Sequence, residues 1–127
     1  MNKEDLKSKI SKASYIVTQE HGTEAPFSGE LLDTREEGIF TCVCCGNELF
    51  SSDTKYDSGT GWPSFWDVLN ENSVGEEIDK SHGMIRTEVH CQKCNAHLGH
   101  LFPDGPMPTG KRYCMNSVAM QFKKSDK

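Results

Sequence analysis

Six cysteines are the residues of this sequence best suited to chemistry, and four of them form two C-x-x-C pairs. The paired residues are Cys42, Cys45, Cys91 and Cys94. A two-residue spacer lets one tight turn place two thiolates on the same metal ion, and four thiolates fill the tetrahedral shell of Zn²⁺. Because such a set leaves no ligand position open, the pattern predicts one structural zinc ion rather than a catalytic one.

The residues that follow the two pairs favour the same interpretation. Gly46 and Asn95 are of the types that most readily adopt a positive φ, and such a turn directs backbone N–H groups toward the thiolates. Because residues 46–90 separate the pairs, the metal would join distant parts of the chain. The alternatives are four unrelated thiols or a redox-active dithiol. Cys44 has no counterpart in the second pair, and we interpret it as a bystander.

Cys114 stands apart from both pairs, between Arg112 and Asn116. In a strand, these two neighbours would share its face, because side chains alternate with a period of two. A guanidinium next to the thiol on the same face stabilises a thiolate and lowers the pKa of the cysteine. An asparagine there can hydrogen-bond a substrate. We therefore predict a reactive nucleophile. The alternative is a small apolar residue buried in a strand.

Two further segments have the composition of a functional site. His97 and His100 lie close together after the second pair; they suit acid–base catalysis or, equally, hydrogen bonds within a core. Trp62 and Phe65 follow a glycine-rich stretch at residues 57–61. Aromatic clusters are usually core, but a tryptophan in such a loop favours the wall of a pocket.

The order of the motifs resembles the B-type peptide-methionine (R)-S-oxide reductases over nearly the whole chain, from about residue 15 to residue 122. The segments that carry the resemblance are Gly22-Thr23-Glu24, Gly59-Thr60-Gly61-Trp62-Pro63-Ser64-Phe65, Arg86-Thr87-Glu88-Val89, His97-Leu98-Gly99-His100, Asp104-Gly105-Pro106 and Arg112-Tyr113-Cys114-Met115-Asn116-Ser117. The resemblance implies two antiparallel sheets, with the zinc on the side away from the catalytic pocket. It also implies reduction of the R epimer of methionine sulfoxide in proteins, with thioredoxin as the electron donor.

For the site, the resemblance implies Cys114 as the nucleophile. The implied pocket residues are Trp62, His97, His100, Arg112 and Asn116, to which we add Phe65 and Asp104 as predicted substrate contacts. Many relatives carry a resolving cysteine where this chain has Thr60, and threonine cannot form a disulfide. We therefore expect the donor to reduce the oxidised Cys114 directly rather than through Cys44.

The chemistry of sulfoxide reduction agrees with these residue types. A thiolate attacks the sulfur, a proton reaches the leaving oxygen, and the expected products are methionine and a sulfenic acid on Cys114. The proton could come from His100 or His97, or from a water held by Asn116 or Asp104. The sequence has no G-x-G-x-x-G motif for a nicotinamide or flavin, so the electrons must come from a thiol partner.

The elements that must position these residues are mostly short strands. Leu6, Ile10 and Ala13 follow a helical spacing, which predicts a helical N-terminal cap over residues 1–20. Residues 85–91 alternate, which predicts a strand with Arg86 and Glu88 on a wet face. We expect residues 123–127 to form a frayed tail. The prediction is one mainly β domain over residues 1–127, with two antiparallel sheets in a tent-like arrangement.

Composition limits the partners. The 127 residues carry a net charge of −5, which argues against nucleic acid and against a polybasic membrane anchor. No apolar run approaches the roughly 20 residues of a membrane span, and the charged N-terminus lacks the apolar stretch of a secretory signal. We expect a cytoplasmic monomer whose partners are oxidised proteins or peptides and a thioredoxin-like thiol donor. The competing classes are a zinc-stapled binding module without catalysis and a zinc hydrolase, which would need an open metal position.

Overall fold

The computed structural model describes residues 3–80 and 83–125 of the chain. Within these ranges two short helices come first, α1 at Lys3–Lys9 and α2 at Lys12–Glu20. The strands that follow are β1 Gly38–Cys42, β2 Glu48–Ser51, β3 Lys55–Tyr56, β4 Ser64–Phe65, β5 Val74–Asp79, β6 Arg86–Cys91, β7 His97–Phe102, β8 Arg112–Met115 and β9 Met120–Lys124. Short 3₁₀ turns lie at Ser52–Thr54 and Ser117–Ala119.

The strands form two antiparallel sheets. The small sheet has the order β2-β1-β9, and the large sheet has the order β3-β4-β8-β7-β6-β5. Every pairing within them is antiparallel. The predicted mainly β fold of two antiparallel sheets with N-terminal helices is confirmed.

The N-terminal segment forms two helices where a single helical spacing suggested one cap. The hydroxyl of Ser11 accepts a hydrogen bond from the backbone N–H of Ser14 at 3.1 Å and so caps the start of α2. Leu6 is buried and Ile10 is half-buried, as their spacing predicts, but Ala13 is exposed because it lies beyond the break. Residues 1–2 of the predicted cap lie outside the described residues.

The C-terminal segment is paired further than predicted. Lys123 and Lys124 lie in β9, opposite Ile39 and Gly38 of β1. The backbone N–H of Ser125 then donates to the carbonyl of residue 37 at 2.8 Å. The tail that we expected to fray from residue 123 is therefore hydrogen-bonded through residue 125. Residues 126–127 lie outside the described ranges.

A layer of aromatic side chains fills the space between the two sheets. Phe40 and Phe50 of the small sheet meet Phe65 of the large sheet, and all three are fully buried. The rings of Phe50 and Phe65 stack with centroids 4.3 Å apart, and Phe40 meets Phe65 edge-on at 5.0 Å. Phe65, predicted above to contact the substrate, has no exposed surface for a substrate to touch. It is a core residue, because its side chain faces the small sheet.

The pairing of β7 with β8 brings two predicted functional segments together. The register places His100 opposite Cys114 and Gly99 opposite Met115. Glycine is required at position 99, because a Cβ there would lie 2.1 Å from the carbonyl oxygen of Cys114. Since side chains alternate along a strand, Cys114 and His100 share one face of the sheet, while Met115 is fully buried on the other.

One face of β6 is less exposed than its alternating pattern predicts. We expected Arg86 and Glu88 in water, but Glu88 is buried and Arg86 is half-buried. Ile85, expected on the apolar face, precedes the strand and is 77 % exposed. The prediction of a wet face is wrong because this face holds a cluster of carboxylates and imidazoles that pair with one another.

Replacing Phe65 tests its position in the core. We expect Phe65→Ala to lower the free energy of unfolding by about 3–5 kcal/mol, because it removes a fully buried ring and leaves a cavity. Phe27→Ala is the matched control: Phe27 is 70 % exposed, and the expected cost is about 0.5 kcal/mol or less. Urea unfolding of both variants measures the difference. Equal stability of the two variants would contradict the core assignment.

Candidate active site and metal centre

The two C-x-x-C pairs form turns of the same shape at the ends of β1 and β6. In the first turn, the backbone N–H of Cys42 donates to the carbonyl of Asn47 at 2.8 Å, and that of Gly46 donates to the carbonyl of Cys42 at 2.9 Å. The second turn repeats both bonds around Cys91, each at 2.9 Å. The predicted positive φ values are confirmed, at 80° for Gly46 and 63° for Asn95.

The four paired thiols converge on one point. Their Sγ atoms lie within 4.8 Å of one another, with Cys42 and Cys94 3.7 Å apart and Cys45 and Cys91 3.6 Å apart. A tetrahedron with Zn–S bonds of about 2.3 Å has sulfur–sulfur edges of roughly 3.8 Å. A bound metal ion would keep the four sulfurs as thiolates, the form that acts as a metal ligand. These four cysteines could therefore hold one metal ion.

Cys44 lies beneath the N-terminal helices, beside this cluster. Its side chain is buried, and Gln19 of α2 contacts its Sγ through Nε2 at 3.6 Å. Lys9 of α1 donates to its carbonyl oxygen at 3.3 Å. Cys44 is absent from the set of thiols that converge on one point.

Cys114 opens onto a cavity of about 260 Å³. The lining residues are Thr23, Thr60, Trp62, Arg86, Gly99, His100, Phe102, Arg112, Cys114 and Asn116. The volume suits one side chain rather than a larger ligand, since sites for drug-sized molecules measure about 300–1,000 Å³. A larger cavity of about 910 Å³ extends from α2 to β9, but its lining among the described residues contains no cysteine and no histidine.

Two opposing effects act on the thiol of Cys114. Burial raises its pKa above the ordinary value, and this outweighs the lowering caused by the Arg112 guanidinium and by a hydrogen bond with Thr60. The predicted influence of Arg112 on the pKa of Cys114 is therefore present, but burial outweighs it. A thiol whose pKa is raised by burial reacts as a nucleophile more readily when a neighbouring group accepts its proton.

A bidentate ion pair orients Arg112. Its Nε and Nη2 donate to the two carboxylate oxygens of Asp104 at 2.8 and 3.2 Å, and its guanidinium carbon lies 4.2 Å from the ring centroid of Phe102. The guanidinium in turn holds the pKa of Asp104 below its usual value. Asp104, predicted to contact the substrate, is exposed and lies outside the cavity lining. Its observed contact is with Arg112.

The backbone of Glu24 joins two walls of the cavity. Its N–H donates to Oδ1 of Asn116 at 3.0 Å, and its carbonyl accepts from Nε1 of Trp62 at 3.0 Å. Asn116 also donates from Nδ2 to the carbonyl of Leu98 at 3.0 Å. The Trp62 ring and the Asn116 amide are therefore held in place by protein groups.

His97 packs against the ring of His100 but does not line the cavity. The two ring centroids are 5.4 Å apart, and Nδ1 of His97 is 2.7 Å from Oε1 of Glu88. Nδ1 of His21 contacts the same oxygen at 2.8 Å. Burial lowers the pKa of His97, and its Nδ1–H donates to the Glu88 carboxylate, which only accepts hydrogen bonds. His21, Glu88 and His97 also have metal-ligand atoms within 4.8 Å of one another, but each nitrogen already has the carboxylate as its partner.

The structure brings five predicted site residues to one cavity: Trp62, His100, Arg112, Cys114 and Asn116. His97 and Asp104 contact residues of the cavity without lining it. Thr23, Arg86 and Phe102 line the cavity and were not predicted to do so. The signal for two of them was present, because Thr23 and Arg86 belong to segments that carry the family resemblance.

Comparisons with known proteins extend over almost the whole chain. The family model described as the SelR domain matches residues 10–124. The chain belongs to this family. A peptide methionine sulfoxide reductase MsrB of Hahella chejuensis (strain KCTC 2396) is 53 % identical over 123 residues, covering 97 % of this chain and 88 % of that protein. The MsrB of Escherichia coli O45:K1 (strain S88 / ExPEC) is 54 % identical over 119 residues, covering 94 % and 87 %. The resemblance seen in the motifs is confirmed.

The SelR fold also has a more distant structural relative. The crystal structure of the Mis18 'Yippee-like' domain aligns with a TM-score of 0.57 at 20 % identity, covering 72 % of this chain and all of that one. This likeness concerns the fold alone. Across residues 3–80 and 83–125, neither helix is long and apolar enough to cross a membrane.

Removing the cation beside Cys114 tests the balance of charges at the thiol. We expect Arg112→Gln to raise the pKa of Cys114 further, because the guanidinium stabilises the thiolate. The pH midpoint of Cys114 alkylation by iodoacetamide, followed by peptide mass spectrometry, should rise by about one pH unit. Lys111→Gln removes an exposed cation next to Arg112 and should leave the midpoint unchanged. Identical midpoints for Arg112→Gln and wild type would contradict this account.

Proposed function

We propose that this chain reduces peptide-bound methionine (R)-sulfoxide to methionine, with Cys114 as the nucleophile. The observation that carries the proposal is a half-buried thiol on the wall of a cavity for one side chain, opposite His100 and beside Trp62. Membership of a family whose relatives are named peptide methionine sulfoxide reductases supports the same reaction class.

The reaction transfers one oxygen atom to Cys114. Its sulfur attacks the sulfoxide sulfur; the sulfur–oxygen bond of the substrate breaks, and a sulfur–oxygen bond to Cys114 forms. The methionine sulfur gains two electrons, the cysteine sulfur loses two, and the thiol proton ends on the transferred oxygen. The products are methionine and a sulfenic acid on Cys114.

His100 carries the proton from sulfur to oxygen. It lies directly opposite Cys114 on the neighbouring strand and lines the same cavity. An imidazole accepts and returns protons in the neutral pH range. Of the two histidines that the sequence left open, His97 is the less suitable, because it is buried against Glu88 outside the cavity lining. It supports the ring of His100 from behind.

Fixed walls account for the choice of epimer. The Trp62 ring offers an apolar surface to the substrate methyl group, and a sulfur–aromatic contact contributes about 0.3–1.5 kcal/mol. The oxygen lies toward His100 and Asn116. Because Glu24 holds Trp62 and Asn116 in place, the mirror epimer would direct its oxygen to the indole and its methyl to polar groups.

A thioredoxin-like dithiol restores Cys114. Thr60, which lines the same cavity as Cys114, cannot form a disulfide, and Cys44 is buried beneath α1 and α2. One donor thiol therefore attacks the sulfenic sulfur and releases water. The second donor thiol then cleaves the mixed disulfide, which frees Cys114 and leaves the donor as a disulfide. Such a cycle suits a monomer in a reducing cytoplasm.

An assay of both sulfoxide epimers of a methionine peptide tests this function. With dithiothreitol or with thioredoxin and its reductase, wild type should consume the R epimer only, and Cys114→Ser should consume neither. Cys44→Ala is the matched control and should retain activity. After one turnover without donor, dimedone should label Cys114. R-epimer reduction by Cys114→Ser would contradict the function, and a trapped Cys44–Cys114 disulfide would contradict direct reduction.

We further propose that the four paired cysteines hold one structural Zn²⁺. Cys42 ends β1 of the small sheet and Cys91 ends β6 of the large sheet, so the bound ion would cross-link the two sheets. The ion supplies stability and no reaction step, because four thiolates leave no ligand position for a substrate or water.

Loss of a ligand should therefore remove both metal and stability. We expect Cys91→Ser to lose stoichiometric zinc and to lower the free energy of unfolding by about 4 kcal/mol or more, as for loss of a structural metal. Cys44→Ala, at a buried thiol beside the cluster, should keep one zinc per chain. Metal analysis and urea unfolding of the purified variants measure both effects. A Cys91→Ser variant that unfolds like wild type would refute the structural role.

A further inference from the structure

Asp79 of β5 contacts the imidazole of His100. Its Oδ2 lies 2.8 Å from Nε2 of His100. A carboxylate only accepts hydrogen bonds, so the proton of this bond belongs to Nε2. The His100 side chain is 12 % exposed and that of Asp79 is 19 % exposed, so the bond is largely shielded from water. In the neutral ring, Nδ1 is then the nitrogen that carries a lone pair.

The large sheet arranges the three residues in the order that proton transfer needs. Cys114 lies on β8, His100 on the adjacent β7, and Asp79 at the end of β5. Because β6 separates β7 from β5, the bond between His100 and Asp79 spans that strand. Arg86 of β6 is the register partner of Asp79, and its Nη2 lies 3.4 Å from the same carboxylate oxygen. This cation favours the ionised carboxylate that accepts from His100.

Another carboxylate near His100 already has partners. Glu88 is the register partner of His100 on β6, but its Oε1 accepts from the rings of His97 and His21. Each of the two neighbouring imidazoles, His97 and His100, is therefore held by a different carboxylate and through a different ring nitrogen. The pairing through Nε2 leaves Nδ1 of His100 for the thiol.

We propose that Asp79 is a positioning residue of the reductase, which fixes His100 as the Nε2–H tautomer so that Nδ1 accepts the thiol proton of Cys114. When that proton arrives, the ring becomes a cation, and the Asp79 carboxylate stabilises it until the proton passes to the sulfoxide oxygen. The arrangement follows the logic of a nucleophile, a histidine base and an orienting carboxylate. The proposal rests on the function proposed above.

Asp79 lies outside the cavity lining, which separates its effect from substrate binding. We expect Asp79→Asn to lower kcat by about 10²-fold or more while KM for an R-sulfoxide peptide changes less than about twofold, because binding surfaces are retained. Glu76→Gln is the matched control. It removes a carboxylate from an exposed position on the same strand and should leave both constants unchanged.

The ring itself provides a readout that a merely structural role would not move. Long-range ¹H–¹⁵N NMR of the zinc-loaded enzyme reports the tautomer of His100, whose signals are identified by their loss in His100→Gln. Wild type should show Nε2–H, and Asp79→Asn should lose that preference, because an amide both donates and accepts. An Nδ1–H tautomer in wild type overturns the proposal even if the variant does not fold.

The possible failures are distinguishable. If wild type is active and folded Asp79→Asn keeps its kcat, the role of Asp79 is overturned and the reductase function stands. If wild type reduces neither epimer, the proposed function falls, and the role of Asp79 falls with it.

Discussion

The antiparallel register between β7 and β8 is the constraint on which the site depends. It sets His100 opposite Cys114, and a shift by one residue would turn Cys114 toward the core and bring buried Met115 to the cavity. Gly99 maintains this register at close range, since any larger residue would meet the Cys114 carbonyl. The surroundings of the Cys114 thiol therefore depend first on the close approach of these two strand backbones.

Burial has two effects on the site: it encloses the cavity, and it raises the pKa of the Cys114 thiol. The same enclosure that forms a cavity for one side chain raises the pKa of Cys114 against the pull of Arg112. The positive charge of Arg112 acts on Asp104 as well as on the thiol, because Asp104 forms a bidentate pair with the guanidinium. In the proposed reaction, the adjacent imidazole of His100 accepts the thiol proton. A carboxylate contacts each of the two neighbouring histidines: Asp79 contacts His100, and Glu88 contacts His97.

Core and site are connected through β4. Phe65 inserts into the aromatic layer between the sheets, while the preceding residue, Ser64, is the register partner of Cys114. The hydroxyl of Ser64 lies 2.7 Å from that of Ser58, which lies 2.8 Å from that of Thr60 on the cavity wall. The aromatic layer and the cysteine cluster both join the small sheet to the large one, so the strands that carry the site are anchored at two separate places.

Local patterns determined a good part of this protein. Pair spacing and the residue types at 46 and 95 were enough to predict the two turns, because a turn depends on a few adjacent residues. Strand alternation was enough to put Arg112, Cys114 and Asn116 together, because the side-chain period is built into the backbone. The helical spacing did not predict the break between α1 and α2, although the N-cap residue Ser11 is also a local signal.

The tertiary structure decided what depends on distance and surroundings. Alternation alone does not say which face of a strand meets the core. Phe65 was therefore predicted at the substrate and Glu88 in water, whereas both side chains are buried. No sequence spacing links Asp79 to His100, because their bond crosses an intervening strand. The raised pKa of Cys114 reflects burial by many residues, which outweighs one nearby cation, and burial exists only once the sheets have packed. Spacing along the chain therefore identified the candidate site residues, while packing in three dimensions determined their partners, their burial and which of them line the cavity.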